Sequence, residues 1–304
     1  MKLLFENWRE YLEKNGTPKR VVLNELVEVS EQQLKDFPLS QEELAKLSKW
    51  GELKGRPVFL GSGTMGKAYQ FDKDVLKITK DYAEATAAKS IAGKVHPNVY
   101  KIKKVGRRYA QGEDPPPGLS DHPYVIVYEM VGDEAGGSDI PTNEQQEMIK
   151  VMHGRPKKIY YNWNANLGEA MNKFGRWIMA NPAAAERNQM TRFQNHEQKL
   201  QQLLEAAGLD ELEREVLRSA WAISVGFYSA ANINSSDGII NALSSPNFKY
   251  VDDIANGLTF LEQNGIHFKD LKTTNVMNEK GRLVIIDIGK SDVRNKEPIT
   301  KIEF

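Results

Sequence analysis

Two polar motifs on either side of a predicted β-hairpin constrain this chain more than any other feature of its sequence. The first motif holds Asp270, Lys272 and Asn275 within six residues. The second is an Asp-x-Gly motif that begins at Asp287 and follows an apolar run. The turn residues Asn278-Glu279-Lys280-Gly281 predict the hairpin between them. Because a carboxylate at the end of an apolar strand has no packing role, Asp287 is a candidate for chemistry.

These residue types, in this order, are the ones that phosphoryl transfer from a nucleotide requires. One carboxylate orients the attacking hydroxyl, a Lys neutralises charge on the moving phosphate, and an amide and a second carboxylate hold Mg²⁺. Both motifs resemble the catalytic loop and the metal-binding motif of the protein kinase family. The resemblance implies that Asp270 and Lys272 are catalytic and that Asn275 and Asp287 bind the metal.

A glycine-rich segment near residue 60 is predicted to form a second hairpin. Gly61, Gly63 and Gly66 are spaced so that backbone N–H groups can approach phosphates that a side chain would block. A Rossmann unit would need a helix directly after the glycines, whereas residues 67–71 form a strand-like pattern. In the kinase resemblance these three glycines bind ATP.

The resemblance continues through the next predicted strands. Lys77 occupies the position that pairs with the α and β phosphates, and Glu84 on the following predicted helix is its expected ion-pair partner. Residues 125–132 resemble the fifth strand and the adenine-binding hinge of kinases. There the backbone groups of Glu129 and Val131 are expected to contact the nucleotide, with the side chain of Tyr128 behind the adenine.

The predicted fold class is α+β, a two-lobed protein kinase-like fold with a β-rich N-lobe and a rebuilt, mostly helical C-lobe. We expect an N-terminal helical extension over residues 1–55, the N-lobe over 56–131, and the C-lobe over 132–304 with a long insert. Residues 1–12 also resemble the start of proteins encoded by tailed bacteriophages.

The sequence departs from the family in two ways. Phe268 and Lys269 stand where the family has His and Arg, and Ile288 replaces the Phe of the Asp-Phe-Gly motif. Only residues 290–304 follow that motif, so we expect no activation segment and no phosphorylation switch acting through one. We therefore expect ATP and Mg²⁺ to be used for transfer to a hydroxyl, with a Ser/Thr protein substrate. A small-molecule kinase and an inactive pseudokinase that binds nucleotide or protein remain alternatives.

Composition excludes several other classes of protein. The formal net charge is zero, so no overall field favours nucleic acid or an anionic membrane. The chain has no cysteine, which excludes disulfides, thiol nucleophiles and Cys-ligated zinc. No apolar run approaches the ~20 residues that cross a bilayer, and we expect a cytoplasmic protein without a membrane partner. Residues 155–163 mix basic and aromatic side chains. We expect these aromatics to pack on a neighbouring helix, and binding of single-stranded nucleic acid is the alternative.

Overall fold

The computed structural model describes most of the chain, which divides into two compact units. The described residues are 39–62, 65–109, 122–132, 140–186, 196–227, 235–244 and 248–303. The first unit comprises Met1–Asp139, Leu261–Asp270 and Ile286–Phe304, and the second comprises Ile140–Phe260 and Leu271–Ile285. The expected helix near residues 4–12, the expected strand over 20–29, and Gly63 lie outside the described residues.

A five-stranded antiparallel sheet forms the centre of the first unit. Its strands are β1 (Val58–Ser62), β2 (Gly66–Phe71), β3 (Asp74–Thr79), β4 (Ile102–Arg107) and β5 (Tyr124–Glu129). Their order in the sheet is β1-β2-β3-β5-β4. The glycine-rich segment therefore joins two paired strands, as the strand-like pattern after it predicts. Because successive side chains of a strand alternate between its faces, Lys77 points away from the buried Leu76 and Ile78.

One helix covers each face of this sheet. Helix α1 (Gln41–Gly51) begins after Ser40, whose side chain accepts a hydrogen bond from the N–H of Glu43, and it buries Leu47 against the face that carries Leu76. Helix α2 (Tyr82–Ile91) lies between β3 and β4 in sequence. Asp81 caps it by accepting hydrogen bonds from two N–H groups of its first turn, as predicted from the sequence. This cap fixes where the helix begins and therefore where Glu84 stands.

The segment that follows Asp287 returns to the sheet of the first unit. Strand β6 (Ile266–Phe268) pairs with the later strand Ser291–Val293. Beyond it, the Arg107 N–H donates to the Thr300 carbonyl at 2.9 Å, and the Ile302 N–H donates to the Arg107 carbonyl at 2.8 Å. Ile302 is buried in the same apolar cluster as α1. Burial of one such side chain stabilises a fold by about 1.5–3 kcal/mol.

The second unit is mostly helical. Its helices are α3 (Asn143–His153), α4 (Trp163–Ala180), α5 (Pro182–Glu186), α6 (His196–Ala206), α7 (Glu211–Phe227), α8 (Ser236–Leu243) and most of α9 (Lys249–Gln263). It also contains the hairpin of β7 (Val276–Glu279) and β8 (Arg282–Ile285). The strand Ser291–Val293, which belongs to the first unit, is numbered β9. The predicted turn is present, with Lys280 and Gly281 both at positive φ.

The basic and aromatic run at residues 155–163 buries part of its side chains in this unit. Tyr160 and Trp163 are buried, and their ring centroids are 5.5 Å apart. The Lys157 Nζ donates to the carbonyls of Met152 and His153 at 2.9 Å each, at the end of α3. Burial lowers the pKa of Lys157 to about 8. The prediction that these aromatics pack on helices is confirmed, and neither buried ring is available for stacking on bases.

The described structure has the mixed composition that the α+β prediction requires. One unit is an antiparallel sheet with a helix on each face, and the other is helical with one hairpin. This arrangement confirms the fold class and is consistent with a two-lobed kinase-like fold. Among the described helices, none is both long and apolar enough to cross a membrane.

Candidate active site

A buried ion pair joins β3 to α2 in the first unit. The Lys77 Nζ donates to Glu84 Oε1, and the two side chains are 13% and 4% exposed. The pair forms because Lys77 faces away from the core of α1 and because the Asp81 cap places Glu84 in the first turn of α2. The structure thus brings together the two residues that the resemblance pairs. Their contact with phosphates stays a prediction.

A third charge lies close to this pair. Burial alone would lower the pKa of Lys77, but the carboxylates of Asp287 and Glu84 outweigh that effect and raise it. Burial raises the pKa of Glu84 to about 7, with Lys77 opposing this rise and Asp287 adding to it. One ammonium group therefore interacts with two carboxylates, with Glu84 by direct contact and with Asp287 through its charge. The Lys cannot neutralise both, so this group of three residues carries an excess negative charge when all are ionised.

Two tyrosines complete the surroundings of the pair. The rings of Tyr100 and Tyr128 meet edge to face with centroids 5.0 Å apart. Burial raises the pKa of both hydroxyls, and the charges of Glu84 and Asp287 raise them further. Both tyrosines are therefore neutral at physiological pH. The Tyr100 hydroxyl is buried and has no hydrogen-bond partner among the described residues, so this side of the site has unused polar capacity.

The exit of the glycine-rich segment packs tightly on β3. A Cβ atom at Gly66 would lie 2.5 Å from the Ile78 carbonyl oxygen and 3.4 Å from Lys77 Cε. Only glycine therefore fits here, for a structural reason that is independent of any phosphate. The preceding residue, Met65, accepts a hydrogen bond from the Lys80 N–H at 2.8 Å and lies within 3.0 Å of the Thr79 hydroxyl. Gly61 lies in β1.

Asp270 follows β6 and is nearly buried. Its Oδ1 lies 3.7 Å from the Nζ of Lys290, a residue at positive φ directly after the Asp-x-Gly motif. Asp287 Oδ1 accepts a hydrogen bond from the Gly289 N–H at 2.9 Å. Lys269, which replaces the family's Arg, pairs with Asp292 of β9. Lys269 therefore already has a carboxylate partner within this chain.

Lys272 and Asn275 belong to the second unit. Asn275 is buried at the end of a short 3₁₀ turn, Thr273–Asn275, and its N–H donates to the Lys272 carbonyl at 3.0 Å. The Thr274 hydroxyl lies 3.3 Å from Asn275 Oδ1. This turn leads directly into β7, so the hairpin that precedes Asp287 also fixes Asn275.

The two hinge residues lie at the end of β5. The Glu129 N–H donates to the Lys101 carbonyl at 2.9 Å, and the Glu129 side chain lies 2.6 Å from the Lys101 Nζ. Val131 follows two residues later in a bend. The backbone of Glu129 is therefore held in place by β4. That these two residues bind adenine stays a prediction.

The donor set is of the kind that Mg²⁺ uses with a nucleotide. Mg²⁺ is usually held by one or two carboxylates together with substrate phosphates and water. Asp287 offers a carboxylate oxygen beyond the one that the Gly289 N–H occupies, and the excess negative charge around Lys77 favours a cation. No cluster of three or more His, Cys, Asp or Glu side chains suited to a metal occurs among the described residues. The residues present therefore fit a metal that arrives with phosphates.

Sequence reasoning missed several participants in this site. Thr79, Tyr100 and Lys290 carry no family motif, and only tertiary contacts reveal them. For Thr79 a weak signal was available, because it lies two residues after Lys77 and therefore on the same face of β3.

Comparison with known proteins adds little to this geometry. No protein-family model matches the chain, and no curated protein matches it. One similar solved structure is the streptomycin–ATP–APH(2″)-IIa ternary complex. The identity is 12% and the TM-score is 0.31, with 84% of this chain and 73% of that chain covered. A TM-score this low carries no argument about activity or substrate.

Proposed function

We propose that this protein is an ATP- and Mg²⁺-dependent phosphotransferase. The observation that carries the proposal is the buried ion pair of Lys77 and Glu84, on which the charge of Asp287 also acts. Burying charge is costly unless it is balanced, and strongly perturbed charges of this kind occur most often at functional sites. A metal–nucleotide complex supplies both the missing cation and a partner for the Lys.

Each residue then has a defined role. Glu84 holds Lys77 extended toward the α and β phosphates, and the backbone of Glu129 and Val131 binds the adenine. Gly61, Gly63 and Gly66 keep the backbone over the phosphates free of side chains. These roles rest on the resemblance stated above and on the ion pair that the structure contains.

The acceptor side depends on the catalytic loop. Asp270 orients the hydroxyl and takes its proton, while Lys272 stabilises the charge on the transferred group. Asp287 and Asn275 would hold Mg²⁺, which neutralises the developing charge on the phosphates. The Nζ of Lys290, at 3.7 Å from Asp270 Oδ1, helps to fix the position of this carboxylate.

We propose a protein hydroxyl as the acceptor, because Asp270-Leu271-Lys272 resembles the loop of kinases that act on Ser and Thr. A small-molecule acceptor is the second candidate, and a specific observation favours it. In the described structure, residues 291–302 pair with β6 and β4 and do not form a segment that could present a peptide. Ser291 is buried and its hydroxyl donates to the Ile288 carbonyl, so it is not accessible for phosphorylation.

Incubation with γ-labelled ATP and Mg²⁺, alone and with cell lysate, tests the proposal. Wild type should transfer label, and Asp270→Ala should reduce transfer by about 10²–10⁴-fold while it leaves ATP binding unchanged, because Asp270 acts on the acceptor. Asp237→Ala, an exposed acidic residue of α8, is the matched control and should behave as wild type. ATP binding without any transfer or hydrolysis would favour a pseudokinase, and absence of ATP binding would refute the proposal.

A further inference from the structure

A single buried hydroxyl group contacts three parts of the site. Thr79 is the last residue of β3 and is fully buried. Its Oγ1 lies 3.0 Å from the carbonyl oxygen of Met65 and 3.2 Å from Glu84 Oε2. The same oxygen accepts a hydrogen bond from the Asp81 N–H at 3.1 Å. One side chain therefore contacts the end of the glycine-rich segment, the start of α2 and Glu84, which is the ion-pair partner of Lys77.

The hydroxyl has one proton and two acceptors within reach. A threonine hydroxyl donates one hydrogen bond and rotates to suit its surroundings. The Met65 carbonyl is the nearer acceptor, whereas the ionised Glu84 carboxylate is the stronger one. The position of the glycine-rich segment and the state of Glu84 are coupled through this proton, because strengthening one hydrogen bond weakens the other.

The contact also fixes the orientation of the carboxylate. Lys77 binds Oε1 of Glu84 and Thr79 approaches Oε2, so both oxygens are held from the same face of β3. The terminal torsion of a glutamate is otherwise broad. With only one oxygen held, Glu84 could rotate, and Lys77 would lose the fixed direction in which it extends.

We propose that Thr79 is a positioning residue that aligns Lys77 and Glu84 for the nucleotide phosphates and links them to the glycine-rich segment. The proposal rests on the proposed function above. Thr79 itself touches neither the nucleotide nor the acceptor, and it acts only through Glu84 and Met65.

Three substitutions test this role. Thr79→Val removes the hydroxyl and keeps a β-branched shape, and Thr79→Ser keeps the hydroxyl. Thr86→Val is the matched control, because Thr86 is a buried threonine of α2 whose hydroxyl donates to the Tyr82 carbonyl at 2.7 Å, outside the cluster. The dissociation constant of ATP with Mg²⁺ should rise roughly tenfold in Thr79→Val, the scale of a hydrogen bond to a charged group. It should change less than threefold in Thr79→Ser and Thr86→Val.

Adenosine separates positioning from a general structural effect. Because adenosine lacks the phosphates that Lys77 holds, it should bind wild type and Thr79→Val equally. Loss of adenosine affinity parallel to that of ATP would mean that Thr79 only supports the fold, and the proposal would be wrong. Unchanged ATP affinity in Thr79→Val, or failure of Thr79→Ser to restore it, would also overturn it.

The outcome for wild type distinguishes this inference from the proposed function. If wild type does not bind ATP with Mg²⁺, the proposed function fails, and the positioning role fails with it. If wild type binds ATP and Asp287→Asn weakens that binding, while Thr79→Val matches wild type, only the role of Thr79 is refuted.

Discussion

Within the described residues of the first unit, two buried ion pairs can be compared. Arg108 binds Glu43 of α1 through two guanidinium nitrogens and donates a third hydrogen bond to the His122 carbonyl at 2.9 Å. The Arg108 and Glu43 side chains are 1% and 13% exposed, so this pair is as buried as Lys77 and Glu84. The carboxylate that Arg108 contacts in the described part of the chain is that of Glu43, whereas the pKa of Lys77 is raised by Asp287 as well as by its partner Glu84.

Under the proposed function, this difference separates a structural pair from one that binds a ligand. A balanced pair in which the Arg also donates to a carbonyl holds α1 on the sheet and leaves no surplus charge between its two members. The Lys77 pair is left with a surplus of negative charge, which folding alone does not require. Since a buried pair is weak evidence for stability in itself, the surplus carries the functional interpretation.

The largest difference between the two pairs should appear in the free energy of unfolding when the acidic residue of each pair is neutralised. Glu43→Gln leaves the Arg108 charge buried without its partner and should lower the free energy of unfolding by about 3–5 kcal/mol. Glu84→Gln should lower it much less, because Asp287 remains to balance Lys77. Chemical denaturation of the two variants measures these changes in the free energy of unfolding. ATP titration measures the accompanying changes in affinity.

The affinities of the two variants for ATP should rank in the opposite order to their losses of stability. Glu84→Gln should weaken ATP binding, whereas Glu43→Gln should leave it near wild type at temperatures where the protein stays folded. Equal loss of stability in the two variants, with equal ATP affinity, would show that both pairs are merely structural.

The pH dependence sharpens the comparison with a smaller effect. Burial, opposed by Lys77 and reinforced by Asp287, raises the pKa of Glu84 to about 7. As pH falls through about 7, Glu84 gains a proton and no longer holds Lys77, so ATP affinity should decline. Glu84→Gln should remove this decline. Calorimetric titrations at several pH values between 6 and 8 measure it, and identical profiles for the two proteins would contradict the assignment.

Without nucleotide, the free energy of unfolding should change with pH in the direction opposite to that of the ATP affinity. The pKa of Glu84 is higher in the folded state than its ordinary value of 4.5, so the folded state binds the proton more tightly than the unfolded state. Between pH 4.5 and 7 this residue therefore lowers stability as pH rises. Wild type should gain stability relative to Glu84→Gln on acidification, in the same window in which it loses ATP affinity.

Much of the fold could be predicted because the signals are local. The cap at Asp81 and the turn at Lys280-Gly281 depend on a few neighbouring residues, and the structure contains both. The pairing of Lys77 with Glu84 followed from a family motif. The need for glycine at position 66 could not be predicted from the sequence, because the atom that a side chain would clash with belongs to the neighbouring strand.

The remaining features depend on long-range contacts that no local pattern encodes. The return of Ile302 to the α1 cluster brings together residues more than 250 positions apart. Each compact unit draws on separate parts of the sequence, which only long-range contacts bring together. The division into residues 1–55, 56–131 and 132–304 stays a prediction. Thr79 had only a weak local signal, its place on the same face of β3 as Lys77, because its contribution lies in contacts with Met65 and Glu84 on other elements.

The thermal shift of Asp287→Asn with ATP and Mg²⁺ tests the central claim most directly. Wild type should be stabilised by the nucleotide, by about 2.7 kcal/mol at a ligand concentration 100 times the dissociation constant. Asp287→Asn should keep its fold, because Lys77 and Glu84 then form a balanced pair, but it should gain little stability from ATP and Mg²⁺. Equal shifts for the two proteins would contradict the claim that the surplus charge at Asp287 binds the metal–nucleotide complex.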